Sequence, residues 1–472
     1  MKVNNHIYFL ASIFFALFLL AGCSLPAQTP GLTVALSLIP PSSTPEPSST
    51  PTHVPTKPPT ATLTRSPTVT FTATPQPLVH RIAIRIVDGV GEFYDRNTGE
   101  NFVPRGNNYI HVASQQAYGG STFTNTSTFN TDLYDPVEAD AALSRMQEQG
   151  YNVVRVFIQG NCSDYCIGDP LEGLRDAYIA NVVDFLQKAK SHGIFVILTG
   201  DDEPISPYYD QLLTSSWSPD FGYTNRDFLT SGGILVAKAY WGDLVNALAS
   251  QNAPLDFLLA YELRNELFYE LNSPPLSYPN GAYMTANGKS YDMASTEERQ
   301  RMMDENLLLW IDETRNAILE HDPTALVTIG FFVPQRPNSA RQGDQRWIET
   351  RPVIWESSLD FIDLHPYPGY NFNLAKYVEN FGMTGMQAKP IIMGELGAAR
   401  EKFPSEITVA RVLQDWQVES CQYGFDGWLL WTYNKIDESF YYGLSGNGEI
   451  DKVLAPHNRP DPCQPADFDF LQ

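Results

Sequence analysis

Positive charge is scarce in this sequence. Its 472 residues carry 31 Lys and Arg against 54 Asp and Glu, a formal net charge of −23 and a pI near 4.7. So acidic a chain repels the phosphates of nucleic acid, which removes that class of partner. No glycine-rich phosphate loop follows the first predicted strand, which argues against a nucleotide-binding open sheet. Cysteine is sparse, with five residues, and neither a Cys-x2-Cys pair nor an accompanying His pair is present, so a zinc site is not expected. The apolar run Ile7 to Ala21 is short for a membrane span.

That run reads as a signal peptide. It follows Lys2 and ends in Leu20-Ala21-Gly22-Cys23, which resembles the lipobox of bacterial lipoproteins. The resemblance implies removal of residues 1–22, lipidation of Cys23, and an extracytoplasmic chain anchored by that lipid to a bacterial membrane at the cell surface. An ordinary signal peptide with a chance cysteine is the alternative. Residues 23–78 are rich in Pro, Ser and Thr, as in Pro55-Thr56-Lys57-Pro58-Pro59-Thr60, and read as a disordered linker. In polyproline II geometry, at roughly 3.1 Å per residue, it spans on the order of 100 Å or more.

Residues 79–472 form one expected domain. Cys162, Cys166, Cys421 and Cys463 are an even set outside the cytoplasm; the pairs 162–166 and 421–463 are favoured over other arrangements. Arg81 to Val87 and Gly91 to Tyr94 read as a short N-terminal β-hairpin. Strand-like and helix-like periods then alternate. Strands are expected at 102–108, 152–158, 194–198, 256–263, 325–331, 361–364, 390–393 and 425–432. Capping-box signals open helices at Asp135 and Ser295, and a further helix is expected near 235–250. Eight such units imply an α/β fold, a (β/α)8 TIM barrel, with an open doubly wound sheet as the alternative. The long connections Asp201 to Gly233 and Leu267 to Ala294 fall on the active-site face of such a barrel.

Two glutamates close strands on that face: Glu266 in Tyr261-Glu-Leu-Arg-Asn-Glu266, and Glu395 in Ile391-Ile-Met-Gly-Glu395. Paired carboxyl groups are what cleavage of a glycosidic bond requires. Asn265-Glu266 on strand four, His365-Pro-Tyr367 on strand six, Gly394-Glu395 on strand seven and Gly427-Trp-Leu-Leu-Trp431 on strand eight resemble family 5 of the glycoside hydrolases, over roughly residues 82 to 435. The resemblance implies that Glu266 is the acid/base and Glu395 the nucleophile of a retaining reaction without cofactor or metal. It implies that Asn265 bonds the sugar 2-hydroxyl, that Arg155 lies beneath Glu395 and keeps it ionised, that Tyr367 donates to Glu395, that His365 contacts substrate, and that Trp431 stacks under the reacting sugar. Glu266 is expected to hold its proton at rest.

Other readings stand beside these. Arg155 could be an ion pair within the barrel, with Glu262 as the candidate partner, and His365 a structural histidine. Asp363 and His365 near Glu395 could mimic a metal site. Trp428, out of phase with Trp431, reads as core. Tyr208, Tyr209, Trp217 and Tyr223 are candidate sugar platforms, and Asn107, His111 and Gln335 candidate supporting groups. Two departures from the family pattern bear on substrate. Asp201, Asp202 and Glu203 follow strand three where many members carry a His, so Asp201 or Asp202 could contact substrate; Leu267 replaces the common Pro. The expected substrate is a neutral polysaccharide or oligosaccharide, β-1,4-mannan or β-1,4-glucan first. A non-catalytic glycan-binding lipoprotein and an exo-acting β-glycosidase are the alternatives.

Overall fold

The structure, a computed structural model, describes residues 79–116, 122–126, 128–160, 165–169, 171, 173–204, 206–332, 346–369, 372–433 and 448–466. Cys23 and the rest of the leader and linker, Cys162 and Gln335 lie outside the described residues. So does the Tyr223 side chain.

Nine strand segments form one parallel sheet that closes on itself. In chain order the barrel strands are Arg105–Asn108, Val153–Ile158, Phe195–Gly200, Leu258–Glu262, the divided fifth strand, Ile362–His365, Ile391–Leu396 and Gly427–Leu430. The fifth is split at Ile329: Val327–Thr328 pairs with the fourth strand, and Gly330–Phe332 with the sixth. The split explains why nine segments make an eight-stranded (β/α)8 barrel. Strands such as Val153–Ile158 are buried along their whole length. Helices cover the outer face and neighbouring strands the edges, so runs of Val, Ile, Leu and Phe are stable there.

The predicted hairpin is present, Ile82–Val87 antiparallel to Val90–Asp95. Ile82 and Phe93 join Val153, Ile197, Phe361 and Leu429 in one apolar cluster, so the hairpin plugs the base of the barrel. Asp135 caps the helix Pro136–Glu148 by accepting from Val137 N and Glu138 N. The second predicted capping box is only half formed. Ser295 Oγ accepts from Glu298 N, but Glu298 Oε2 accepts from Asp292 N.

Boundaries shift in several places. The first strand begins at Arg105, and a turn of 3-10 helix, Leu255–Phe257, precedes the fourth. The helix expected near 235–250 starts at Ser231, capped by Thr230. Gly232-Gly233 looks like a loop signal but lies in its first turn. A Cβ on Gly232 would sit 2.4 Å from Leu213 O, and one on Gly233 2.2 Å from Asp227 O. Cys421 and Cys463 are bonded, 42 residues apart in sequence. Cys166 is also disulfide-bonded. No helix among the described residues is long and apolar enough to cross a membrane.

Candidate active site

Every second residue of a barrel strand points inward. Val153, Ile197, Phe361 and Leu429 fill the lowest layer above the hairpin. Two residues further along three of these strands come Arg155, Thr199 and Asp363, all with no exposed surface. Two more bring Phe157 and His365, and Trp431 follows Leu429 at the same spacing. The sequence thus lays a charged layer on an apolar one and opens it toward the loops that follow the strands.

Arg155 is the hub. Its Nε and Nη2 donate to the two oxygens of Glu262 at 2.7 and 2.6 Å. Nη1 donates to Asn108 Oδ1 at 2.9 Å and to Glu395 Oε1 at 2.8 Å, and Nη2 also reaches Asn265 Oδ1 at 2.8 Å. The ion pair inside the barrel and the contact beneath Glu395 are therefore one structure, not rival readings. Burial opposes the charge on Arg155, but Glu262, Glu395 and Asp363 outweigh it and raise its pKa. Thr199 Oγ1 donates to Glu262, and Asn108 Nδ2 to Gly394 O.

Two glycines make the layer possible. A Cβ on Gly330 would lie 2.5 Å from Glu262 Oε1, and one on Gly394 would lie 2.0 Å from both oxygens of Asp363. Gly394 N instead donates to Asp363 Oδ1 at 2.7 Å.

Glu395 also accepts from the Tyr367 hydroxyl at 2.5 Å. Glu266 faces it, with one atom each of Glu266, His365 and Glu395 within 4.8 Å of the others. His365 Nδ1 is 3.4 Å from Glu266 Oε1 and 3.6 Å from Glu395 Oε1. Its side chain has no exposed surface, so it stands behind the carboxylates rather than in reach of a substrate. Burial pushes the imidazole toward neutrality, yet Glu395, Glu266 and Asp363 prevail and push it up to about 9. Glu262, Asp363 and His365 share the same close spacing. These distances suit a metal ion, but the guanidinium and imidazolium already supply positive charge to the same carboxylates, which opposes a cation.

Glu266 itself has φ +44, a left-handed backbone that costs a side-chain-bearing residue energy and persists only where neighbours enforce it. Three contacts do so. Asn265 N donates to Gly200 O, and Gly330 N to Arg264 O. Arg264 forks to Asp202 Oδ1 at 2.5 Å and Glu203 Oε2 at 2.7 Å, tying the end of strand four to the loop after strand three. Asp202 Oδ1 is thus engaged by Arg264. Asp201 beside it is pushed up to about 7, by burial first and then by Asp202. Arg346, between Phe268 and Phe332, brings Nη1 to 3.9 Å from Glu266 Oε2.

The chain therefore gathers Arg155, Asn265, Glu266, His365, Tyr367 and Glu395 at one place, with half-buried Trp431 packed edge-on to Phe157 beside them. Other candidates fall elsewhere. Tyr209 is buried and donates to Asp243, so it offers no platform. Tyr208 and Trp217 are exposed, 44% and 62%. Asn107 is fully buried, one residue out of phase with Asn108. His111 pairs with Tyr109 and Glu138. Trp428 is core, its Nε1 donating to Ser420. Sequence reasoning missed Asn108, Arg264 and Arg346. Asn108 was findable, because it occupies the inward phase of strand one at the level of Arg155.

A closed barrel with two facing carboxyl groups at its strand ends has the architecture of a glycosidase. The family model for cellulase (glycosyl hydrolase family 5) matches residues 114–436, and the chain belongs to that family. It is a glycosidase, and its substrate is a polysaccharide or oligosaccharide. Solved structures share the fold at low identity. An endo-1,4-β-mannanase from Rhizomucor miehei is 17% identical at TM-score 0.54, covering 80% of this chain and 99% of that one. An exo-β-1,4-mannosidase from Opitutaceae bacterium strain TAV5 is 16% identical at TM-score 0.51, covering 81% and 64%. An endo-β-1,4-mannanase from Thermotoga petrophila is 15% identical at TM-score 0.50, covering 76% and 77%. No curated protein sequence matches.

The raised pKa of His365 gives a stability prediction. Its charge stabilises the fold fully below its unfolded value of 6.5, and that contribution is lost as pH rises through about 9. The Tm difference between the native chain and His365→Gln should therefore narrow between about pH 6 and pH 9.5. A gap that stays constant over that range would show that His365 carries no proton there.

Proposed function

We propose that this chain is a retaining β-glycosidase that cuts a neutral polysaccharide, β-1,4-mannan or β-1,4-glucan, with Glu395 as nucleophile and Glu266 as acid/base. The observation that carries the reading is the approach of the two carboxyl groups, with oxygens within 4.8 Å. Retaining enzymes hold this pair about 5–5.5 Å apart, whereas inverting ones leave about 6.5–9.5 Å for a water. The solved relatives of the fold are named for β-1,4-linked mannose substrates, which favours mannan. The net charge of −23 disfavours an anionic polymer.

In the first step Glu395, its charge supported by Arg155 and its second oxygen fixed by Tyr367, attacks the anomeric carbon. The glycosidic bond breaks as Glu266 gives its proton to the leaving oxygen. In the second step Glu266 takes a proton from water, and the resulting hydroxide displaces Glu395 from the sugar. With Oδ1 of Asn265 held by Arg155, its amide Nδ2 is the group left to donate to the sugar 2-hydroxyl. Trp431 supplies the face on which the reacting sugar stacks.

Reducing-sugar release by the full chain from a panel of mannans, glucans and xylans tests this. One polymer should be cut, and Glu395→Gln should lower the rate by about four orders of magnitude or more. Binding without release from any polymer would support the glycan-binding alternative, and activity surviving the substitution would remove Glu395 from the mechanism.

We also propose that Cys23 carries a lipid and that residues 24–78 hold the barrel away from a bacterial membrane, where it reaches polymers too large to enter the cell. The support is the leader and the Pro/Ser/Thr-rich composition. Cys23→Ser should move the protein from the membrane fraction to the soluble fraction; an unchanged distribution would refute the anchor.

A further inference from the structure

Away from the site, at the opposite end of the first strand from Asn108, a buried guanidinium has no bonding partner. Arg459 is 3% exposed, yet Nε, Nη1 and Nη2 make no hydrogen bond. Arg105, the first residue of that strand, is 4% exposed and lies against it, with Nη1 donating to Arg459 O at 2.6 Å and Pro460 O at 3.2 Å, and Nη2 to Leu454 O at 2.6 Å. Its Nε is likewise buried and unbonded, as is the Tyr151 hydroxyl. We infer that Arg459, Arg105 and Tyr151 form a binding site for a small inorganic anion, a halide such as chloride.

Charge and size both point to that ligand. Two buried guanidiniums act on each other here. Burial pushes both pKa values down to about 10, and Arg105 lowers Arg459 further, so both remain charged at neutral pH. The nearest acids do not neutralise them. Asp461 acts on both through space without an ion pair to either, and Asp451 is engaged by Arg145 at 3.2 Å. Burial raises the Tyr151 pKa, so its hydroxyl keeps a proton to donate. An unpaired buried charge is strongly destabilising, and a water molecule would accept hydrogen bonds without cancelling it. The donors are closed to solvent, which favours a single atom over a polyatomic oxyanion. The unbonded groups of Arg459, Arg105 and Tyr151 are all donors, so the ligand they would share is an acceptor carrying negative charge.

The site joins three parts of the chain. Arg105 comes from the barrel, and Tyr151 follows the helix Pro136–Glu148. Arg459 lies on the segment after the helix Glu449–Leu454, which the Cys421–Cys463 disulfide ties down. A bound halide would therefore clamp that C-terminal segment to the base of the barrel. None of this depends on the proposed mechanism or substrate.

Crystals of the protein grown in sodium bromide and measured at the bromine absorption edge give the direct test. An anomalous peak is expected in contact with Arg459; no peak there, or bromide on the outer surface alone, overturns the proposal. Thermal unfolding of the full chain gives the second measure. At constant ionic strength, replacing gluconate by chloride from about 5 mM to about 0.5 M should raise Tm progressively. The rise should be absent in Arg459→Met. Equal Tm in the two salts overturns the proposal, and because both wild-type measurements stand alone, a failure of Arg459→Met to fold does not blunt the test.

Discussion

A guanidinium with no exposed surface is tolerated only when its charge is matched and its donors are bonded. Arg155 meets both conditions at once, and the interior of the barrel is arranged so that it can. Glu262 takes its two-pronged bond, Asn108 and Asn265 take further donors, and Glu395 completes the set. Removing any one of these leaves a buried donor or charge unsatisfied, so the groups form a unit and not a sum of pairs. Glu395 is in this sense held by the fold before any sugar arrives.

The same logic fixes the backbone around the layer. Gly330 and Gly394 are bare because Glu262 and Asp363 occupy the space their side chains would need. Glu266 is held in a strained left-handed conformation by strand contacts on one side and by Arg264, forked between Asp202 and Glu203, on the other. Strain at a residue proposed to move a proton is consistent with positioning taking precedence over local comfort. His365 sits behind both carboxylates as a second cation, so each of the two glutamates faces positive charge from below.

Period and parity made much of this legible. Arg155, Asp363, His365 and Trp431 fall on the inward phase of predicted strands, and Glu266 and Glu395 close strands whose ends must line the site. Segments such as Val153–Ile158 and Phe195–Gly200 read as strands from their β-branched and apolar residues, broken only at Arg155 and Thr199. What could not be read were contacts between residues far apart in sequence. The Arg264 fork to Asp202 and Glu203 spans about sixty residues and looks, in one dimension, like acids free to meet substrate. Tyr209 looked like Tyr208, and only its partner Asp243 distinguishes buried from exposed. Gly232-Gly233 carried a loop signal because their requirement for close packing is tertiary.

The central claim is that two carboxyl groups, set close by the Arg155 network, cleave the glycosidic bond through a covalent intermediate. Stereochemistry tests it most directly. Proton NMR of the anomeric signal in the first product, recorded before mutarotation on a β-linked substrate the enzyme cuts, should show the β anomer forming first. Initial appearance of the α anomer would mean inversion, with Glu395 activating a water instead of attacking the sugar, and would contradict the account.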